Sequence, residues 1–161
     1  MILFFVEFAF MNKVKQTPKE LEIAVRRPHF DLEADLKEDW FDDSAFKTAF
    51  ENAFSLLFPI GEKAFIESVR SFEDKITDAK LLQEIKAFYG QEAAHRKVHQ
   101  EYNELLCKLR GYDLVYLTKP QIKRHQNRYK QLSPYQKLAA TVAAEHLTAI
   151  LADDLLRNKD H

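Results

Sequence analysis

Between Leu81 and Leu109 the sequence holds the longest helical pattern of the chain, and whatever else the protein builds has to pack around it. Apolar and polar positions step by alternating fours and threes through Leu81, Ile85, Phe88, Glu92, His95, His99, Tyr102, Leu106 and Leu109. That spacing draws one seam along an α-helix. Three successive slots of this seam are Glu92, His95 and His99. A lone seam histidine is ordinarily bonded to a backbone carbonyl, and Glu92 with Arg96 has the spacing of a surface ion pair. Three polar residues in consecutive slots, with apolar residues in phase on both sides, point elsewhere. A buried carboxylate with two imidazoles costs several kcal/mol unless something pairs with it, and one divalent cation satisfies all three groups. The Glu-x-x-His spacing is also the one with which helical bundles present metal ligands inward.

A chain of 161 residues is one domain's worth. Three glycines and five prolines over that length favour helices over a turn-rich β fold. The formal charge of −1 gives no global attraction to nucleic acid or to a membrane. The single Cys107 excludes an intramolecular disulfide framework and any cysteine-built zinc or iron–sulfur site within one chain. It fits a reducing, cytoplasmic compartment. The apolar run from Met1 to Phe10 is too short to span a bilayer and lacks the basic region and cleavage site of a signal peptide. Met11 is therefore expected to be the natural start, or else the run packs on a neighbouring chain.

Residues 1–39 are expected to be an extension and an irregular leader broken by Pro18 and Pro28, with Arg26, Arg27 and His29 solvated and Trp40 and Phe41 anchoring the leader to the bundle. Residues 40–161 form the expected bundle domain. Asp42, Asp43 and Ser44 offer cap chemistry for a helix that turns Phe46, Phe50, Ala53 and Leu57 inward. Pro59 and Gly61 interrupt it. The pattern resumes through Glu62, Phe65, Val69, Phe72 and Ile76, which sets Glu62 in a row of apolar residues, with Glu51 and Glu67 off the seam. Thr77 or Asp78 caps the long helix and Gly111 ends it. Residues 112–132 are rich in Lys and Arg and read as a solvated crossover, because they carry no nucleic-acid motif. Ser133 and Pro134 open a last helix stepping through Leu138, Val142, Glu145, Ala149, Ala152 and Leu156. His146 points away from Glu145, and Asp153 and Asp154 belong to the surface.

Three helices thus offer Glu62, then Glu92 with His95 and His99, then Glu145. This order is most of a ferritin-like, up-down dimetal carboxylate bundle. Carboxylates with imidazole suit iron best, with manganese or zinc as alternatives. The strings Ala24-Val25-Arg26-Arg27-Pro28, Phe58-Pro59-Ile60-Gly61-Glu62, Phe65 through Val69-Arg70, Gln91-Glu92-Ala93-Ala94-His95 with His99 and Asn103, and Ala144 to Ala149 carry a resemblance over about residues 15–156. They resemble the bacterial family of predicted metal-dependent hydrolases, grouped with ferritin-like folds. The resemblance implies metal ligation by Glu62, Glu92, His95, His99 and Glu145. It also implies one further helix with a Glu-Glu and Glu-His-Lys pattern, so this chain is expected to lack the family's last helix.

Two enzyme readings use these residues: a dimetal, di-iron or manganese oxidoreductase that activates dioxygen, with Tyr102 near the site, and a hydrolase whose unligated carboxylate acts as base. A metal-binding or interaction protein without turnover is the reading from a different class. The substrate is a small molecule of unread chemistry. Missing one wall, the bundle would expose Phe65, Val69, Val142 and Ala149, and a homodimer is the expected remedy.

Overall fold

A computed structural model describes Pro18 and residues 23–157, so the Met1 to Phe10 run, the expected start at Met11 and the end of the charged tail lie outside the described residues. The described chain is all-α: α1 is Ala45–Ser55, α2 Phe58–Arg70, α3 Ala79–Arg110, α4 Leu114–Tyr129 and α5 Pro134–Arg157. Single 3-10 turns occur at Asp35–Lys37 and Glu73–Lys75. No described helix is long and apolar enough to cross a membrane.

Local chemistry sets most of the helix ends. Ser44 Oγ accepts the Lys47 amide at the start of α1, and Asp78 accepts the amides of Lys80 and Leu81 at the start of α3. Gly111 closes α3 in the left-handed conformation at φ 71°, where a side chain would be strained, and the Tyr112 amide returns to the Cys107 carbonyl. Asp113 caps α4. Ser133 and Gln136 exchange side-chain-to-backbone bonds in a capping box that opens α5. The break between α1 and α2 falls at Leu56 and Leu57, ahead of Pro59, which instead occupies the first turn of α2, where its missing N–H costs nothing.

Paired residues give the packing order. Tyr89, in the first half of α3, donates to Glu73, and His99, in its second half, meets Ser55, so α3 runs back along the α1–α2 arm. Phe72 lies against Tyr135, and Ser68 bonds Thr141 at 2.8 Å, so α5 also runs antiparallel to α2. Helix α2 is thereby held between α3 and α5. Helix α4 crosses from the end of α3 and is tied to α2 by the Tyr129 hydroxyl on the Ala64 carbonyl. The basic residues Lys119, Lys123, Arg124 and Arg128 of α4 and Lys130 just beyond it are all exposed, as a solvated crossover requires.

Two expected seams are overturned. Helix α1 turns Phe46 and Phe50 outward, 79% and 60% exposed, with Ala53 and Leu57 also exposed, and buries Thr48, Asn52 and Ser55. Each of those polar side chains has a partner: Thr48 accepts the Phe41 amide, Asn52 accepts from Trp40 Nε1 and the Tyr102 hydroxyl, and Ser55 meets His99. Unpartnered burial would be costly, and these bonds remove that cost. Helix α5 turns inward through Leu138, Thr141, Glu145 and Thr148, leaving Val142 62% and Leu156 79% exposed together with Ala149 and Ala152. The Ser68–Thr141 bond selects that face. Phe65 and Val69, expected on an open side, are half-buried instead.

Trp40 and Phe41 tie the leader to α1 through Asn52 and Thr48, and Leu36 adds an anchor that the sequence did not suggest. Leu36 is 2% exposed, whereas Trp40 remains 41% exposed and is held by its bond to Asn52. Arg110 binds the carbonyls of Leu36 and Glu38 and the Asp39 carboxylate. Further up, Gly90 allows close approach of Val25, since a Cβ there would come within 2.6 Å of it. Arg26, Arg27 and His29 are exposed, as read from the sequence.

Candidate metal centre

Glu62 from α2 and Glu92 and His95 from α3 each place one ligand atom so that all three lie within 4.8 Å of one another. The helical period explains the pair on α3, because positions three apart share a face. Glu62 reaches the same point because α2 lies antiparallel against that face. Both carboxylates are buried and His95 is exposed, so the cluster has a closed side and a side that meets solvent.

His99 borders this cluster. Its Nε2 is 4.0 Å from Glu62 Oε1, its Nδ1 is 3.0 Å from Ser55 Oγ, and the Phe58 ring stacks on the imidazole at 4.2 Å and 10°. Glu145 approaches from α5, close enough for its charge to act on Glu62 and Glu92 and for its own carboxyl to feel His95. The structure therefore brings Glu62, Glu92, His95, His99 and Glu145 into one region. Tyr102 points away into the polar face of α1. His146, Asp153 and Asp154 are exposed on α5.

The electrostatics of the site are those of acids crowded in a space short of positive charge. Burial, then the neighbouring Glu92, pushes Glu62 up to about 8, with Arg96 pulling back and Glu145 adding to the rise. Burial, then Glu145, raises Glu92 to about 7. Glu145 is raised by burial, an effect that His95 opposes. Burial, then His95, lowers His99 to about 4. Every one of these shifts disfavours the charged form of the group concerned.

Two carboxylate oxygens, Glu62 Oε2 and Glu145 Oε1, are buried with no hydrogen-bond partner in the structure. Orphaned buried acceptors are costly and uncommon. A divalent cation fits this donor set: it would supply the partner those oxygens lack and offset the crowding of like charge, and carboxylate with imidazole suits first-row metals. Glu92 and Arg96 form no ion pair among the described residues, so the surface-pair account of Glu92 has no support in the structure.

Sequence reasoning missed what surrounds the cluster. Thr48, Asn52 and Ser55 form a polar stripe stepping four and then three, a signal as regular as the seam of α3. It went unread because the phenylalanines of the same helix looked like the inner face. The surface depressions along α5, lined by His146, Ala149 and Asp153, and along α4, lined by Tyr116 and Pro120, are each walled by one helix and include no cluster residue.

Compared with known families, the chain matches the family of predicted metal-dependent hydrolases over residues 24–161. Comparisons with curated proteins and with solved structures gave no match.

Proposed function

Because the chain belongs to the predicted metal-dependent hydrolase family, we propose that it binds a divalent cation through Glu62, Glu92 and His95 and uses it for hydrolysis. The observation that carries this reading is the meeting of those three ligand atoms from two helices, with both carboxylates buried. When bound, the cation would supply Lewis-acid activation of water and of a polarised carbonyl or phosphoryl oxygen.

The chain's own residues divide the remaining work. His95, on the exposed side, marks the entrance through which a small substrate reaches the cluster. Glu145 brings a carboxylate whose Oε1 has no hydrogen-bond partner, and that atom takes the proton of the attacking water. Arg96, exposed beside the site and felt by Glu62, offers a positive charge to an anionic substrate group. His99, stacked on Phe58, borders Glu62 from the side of α1.

A second reading, a ferritin-like dimetal oxidoreductase, draws support only from further potential donors beside the cluster, the orphaned Glu145 Oε1 and the His99 imidazole bordering Glu62. The test loads the protein with zinc, manganese or ferrous iron and screens simple ester, amide and phosphoester substrates. Metal-dependent hydrolysis that His95→Ala and Glu145→Gln both abolish supports the hydrolase. Two irons per chain with dioxygen consumption and no hydrolysis would replace it with the oxidoreductase.

A further inference from the structure

Ser55 is the last residue of α1 and 7% exposed, on a helix face whose buried members are all polar. Its Oγ lies 3.0 Å from His99 Nδ1. Its carbonyl separately accepts the Asn103 side-chain amide at 3.1 Å, which fixes the helix end without the hydroxyl. The Phe58 ring, 4.2 Å away and within 10° of parallel, fixes the plane of the imidazole. What the stacking leaves open is which nitrogen carries the proton; the hydroxyl can pair with Nδ1 in either tautomer, so the surroundings of Nε2 choose between them.

The opposite nitrogen, Nε2, faces Glu62 Oε1 at 4.0 Å, beyond hydrogen-bond length, and has no hydrogen bond to any described residue. A proton on Nε2 would therefore go without an acceptor in the chain, whereas a lone pair there would face the acid cluster. We propose that Ser55 is a positioning residue: its Oγ accepts Nδ1–H of His99, which directs the Nε2 lone pair at the cation site of Glu62, Glu92 and His95. The part concerning the cation rests on the metal-binding reading above, while the part concerning the ring stands on its own contacts. Hydrogen bonds of this kind to the far nitrogen set ring orientation in metal centres, and their loss costs about 10–100-fold in affinity.

The test uses the full chain labelled with ¹⁵N. Long-range ¹H–¹⁵N spectra of the metal-free protein should show His99 as the Nδ1–H tautomer. Ser55→Ala should turn it into a mixture or into Nε2–H, and Ser55→Thr, which keeps a hydroxyl, should restore it. In parallel, calorimetric titration with Zn²⁺ should show affinity about 10–100-fold weaker in Ser55→Ala and recovered in Ser55→Thr, with unchanged helical circular dichroism. An Nε2–H tautomer in the wild type, or a tautomer unchanged by Ser55→Ala, would overturn the proposal. If the wild type binds no Zn²⁺, the metal-binding reading fails, and the tautomer comparison still decides what Ser55 does.

Discussion

His99 Nε2 and Glu62 Oε1 stand 4.0 Å apart as two neutral groups at neutral pH rather than as an ion pair. Burial holds Glu62 at about 8 and His99 at about 4, so around pH 7 the carboxyl keeps its proton and the imidazole has lost its own. Without metal, the centre therefore holds Glu62 protonated and Glu92, raised to about 7, partly so. A cation would take the place of those protons.

This fixes the pH dependence of stability for the metal-free chain. Glu62 and Glu92 have folded pKa values raised from 4.5 to about 8 and about 7, so the native state holds excess protons over that range. Their contribution is fully present below pH 4.5 and is lost as pH rises through 7 to 8. His99, lowered from 6.5 to about 4, acts in the opposite sense, but only below pH 6.5. Between pH 6.5 and 8 the glutamates act unopposed, and stability should fall by up to about 1.4 kcal/mol per pH unit for each excess proton. Urea unfolding across that window measures it, and saturating Zn²⁺ should flatten the slope while releasing protons. A metal-free stability that climbs from pH 6.5 to 8 would show that the carboxylates are not held protonated.

Glu62→Gln separates the metal role from the structural one. The amide keeps the shape of the side chain and removes the need to ionise at 2% exposure. The variant should unfold at equal or higher denaturant than the metal-free wild type at pH 8, and it should bind metal at least about 100-fold more weakly, since a direct ligand matters more than the supporting bonds. His95→Ala should lose metal in the same way with its helices intact. Stoichiometric metal in purified His95→Ala, measured by elemental analysis, would remove the pair on α3 from the centre.

Leu36 offers a check on the fold away from the site. It is buried beneath the Arg110 bonds to the carbonyls of Leu36 and Glu38. Leu36→Ala should destabilise the protein by about 2–4 kcal/mol, read from the shift in unfolding midpoint at constant slope. A change under about 0.5 kcal/mol, the range of ordinary surface substitutions, would mean that the leader does not dock.

The legibility of this structure in its sequence followed the range of the interactions. Caps at Ser44, Asp78, Gly111 and Ser133 act on their own neighbours and could be read directly. The periodic seam of α3 could be read in part: Glu92 and Leu106 are buried as expected, but Leu81 and His95 are exposed and Asn103 and Cys107, off the seam, are buried. The inner face of α1 could not be read by hydrophobicity, because what buries Thr48, Asn52 and Ser55 is hydrogen bonding to Phe41, Tyr102, Trp40 and His99, some of them nearly fifty residues away. Helix α5 is apolar on most sides, so periodicity gave no sharp preference, and the Ser68–Thr141 bond across 73 residues chose the face. Leu138 and Glu145 lie on both the expected and the observed seam, and so Glu145 approaches the cluster although its helix is rotated from expectation.

The same rotation carries the last prediction. Every residue from 149 to 157 is exposed, and with Val142 and Leu147 the outer surface of α5 gathers Ile150, Leu151, Leu155 and Leu156, each at least half exposed. Asp153, Asp154 and Arg157 share this exposed end of α5, yet contiguous apolar surface of this extent marks an interaction site. In a purified solution the one available cover is a second copy of the chain. The wild type should therefore self-associate, a two-fold dimer being the simplest closed arrangement, and Ile150→Glu with Leu151→Glu should disperse it. Both positions are on exposed α5 turns beyond Thr148, so helix content and zinc binding should survive the substitutions. Light scattering of both forms over a concentration series makes the comparison. A wild type that stays monomeric at the highest concentration would show that the exposed surface of α5 does not bind its own kind.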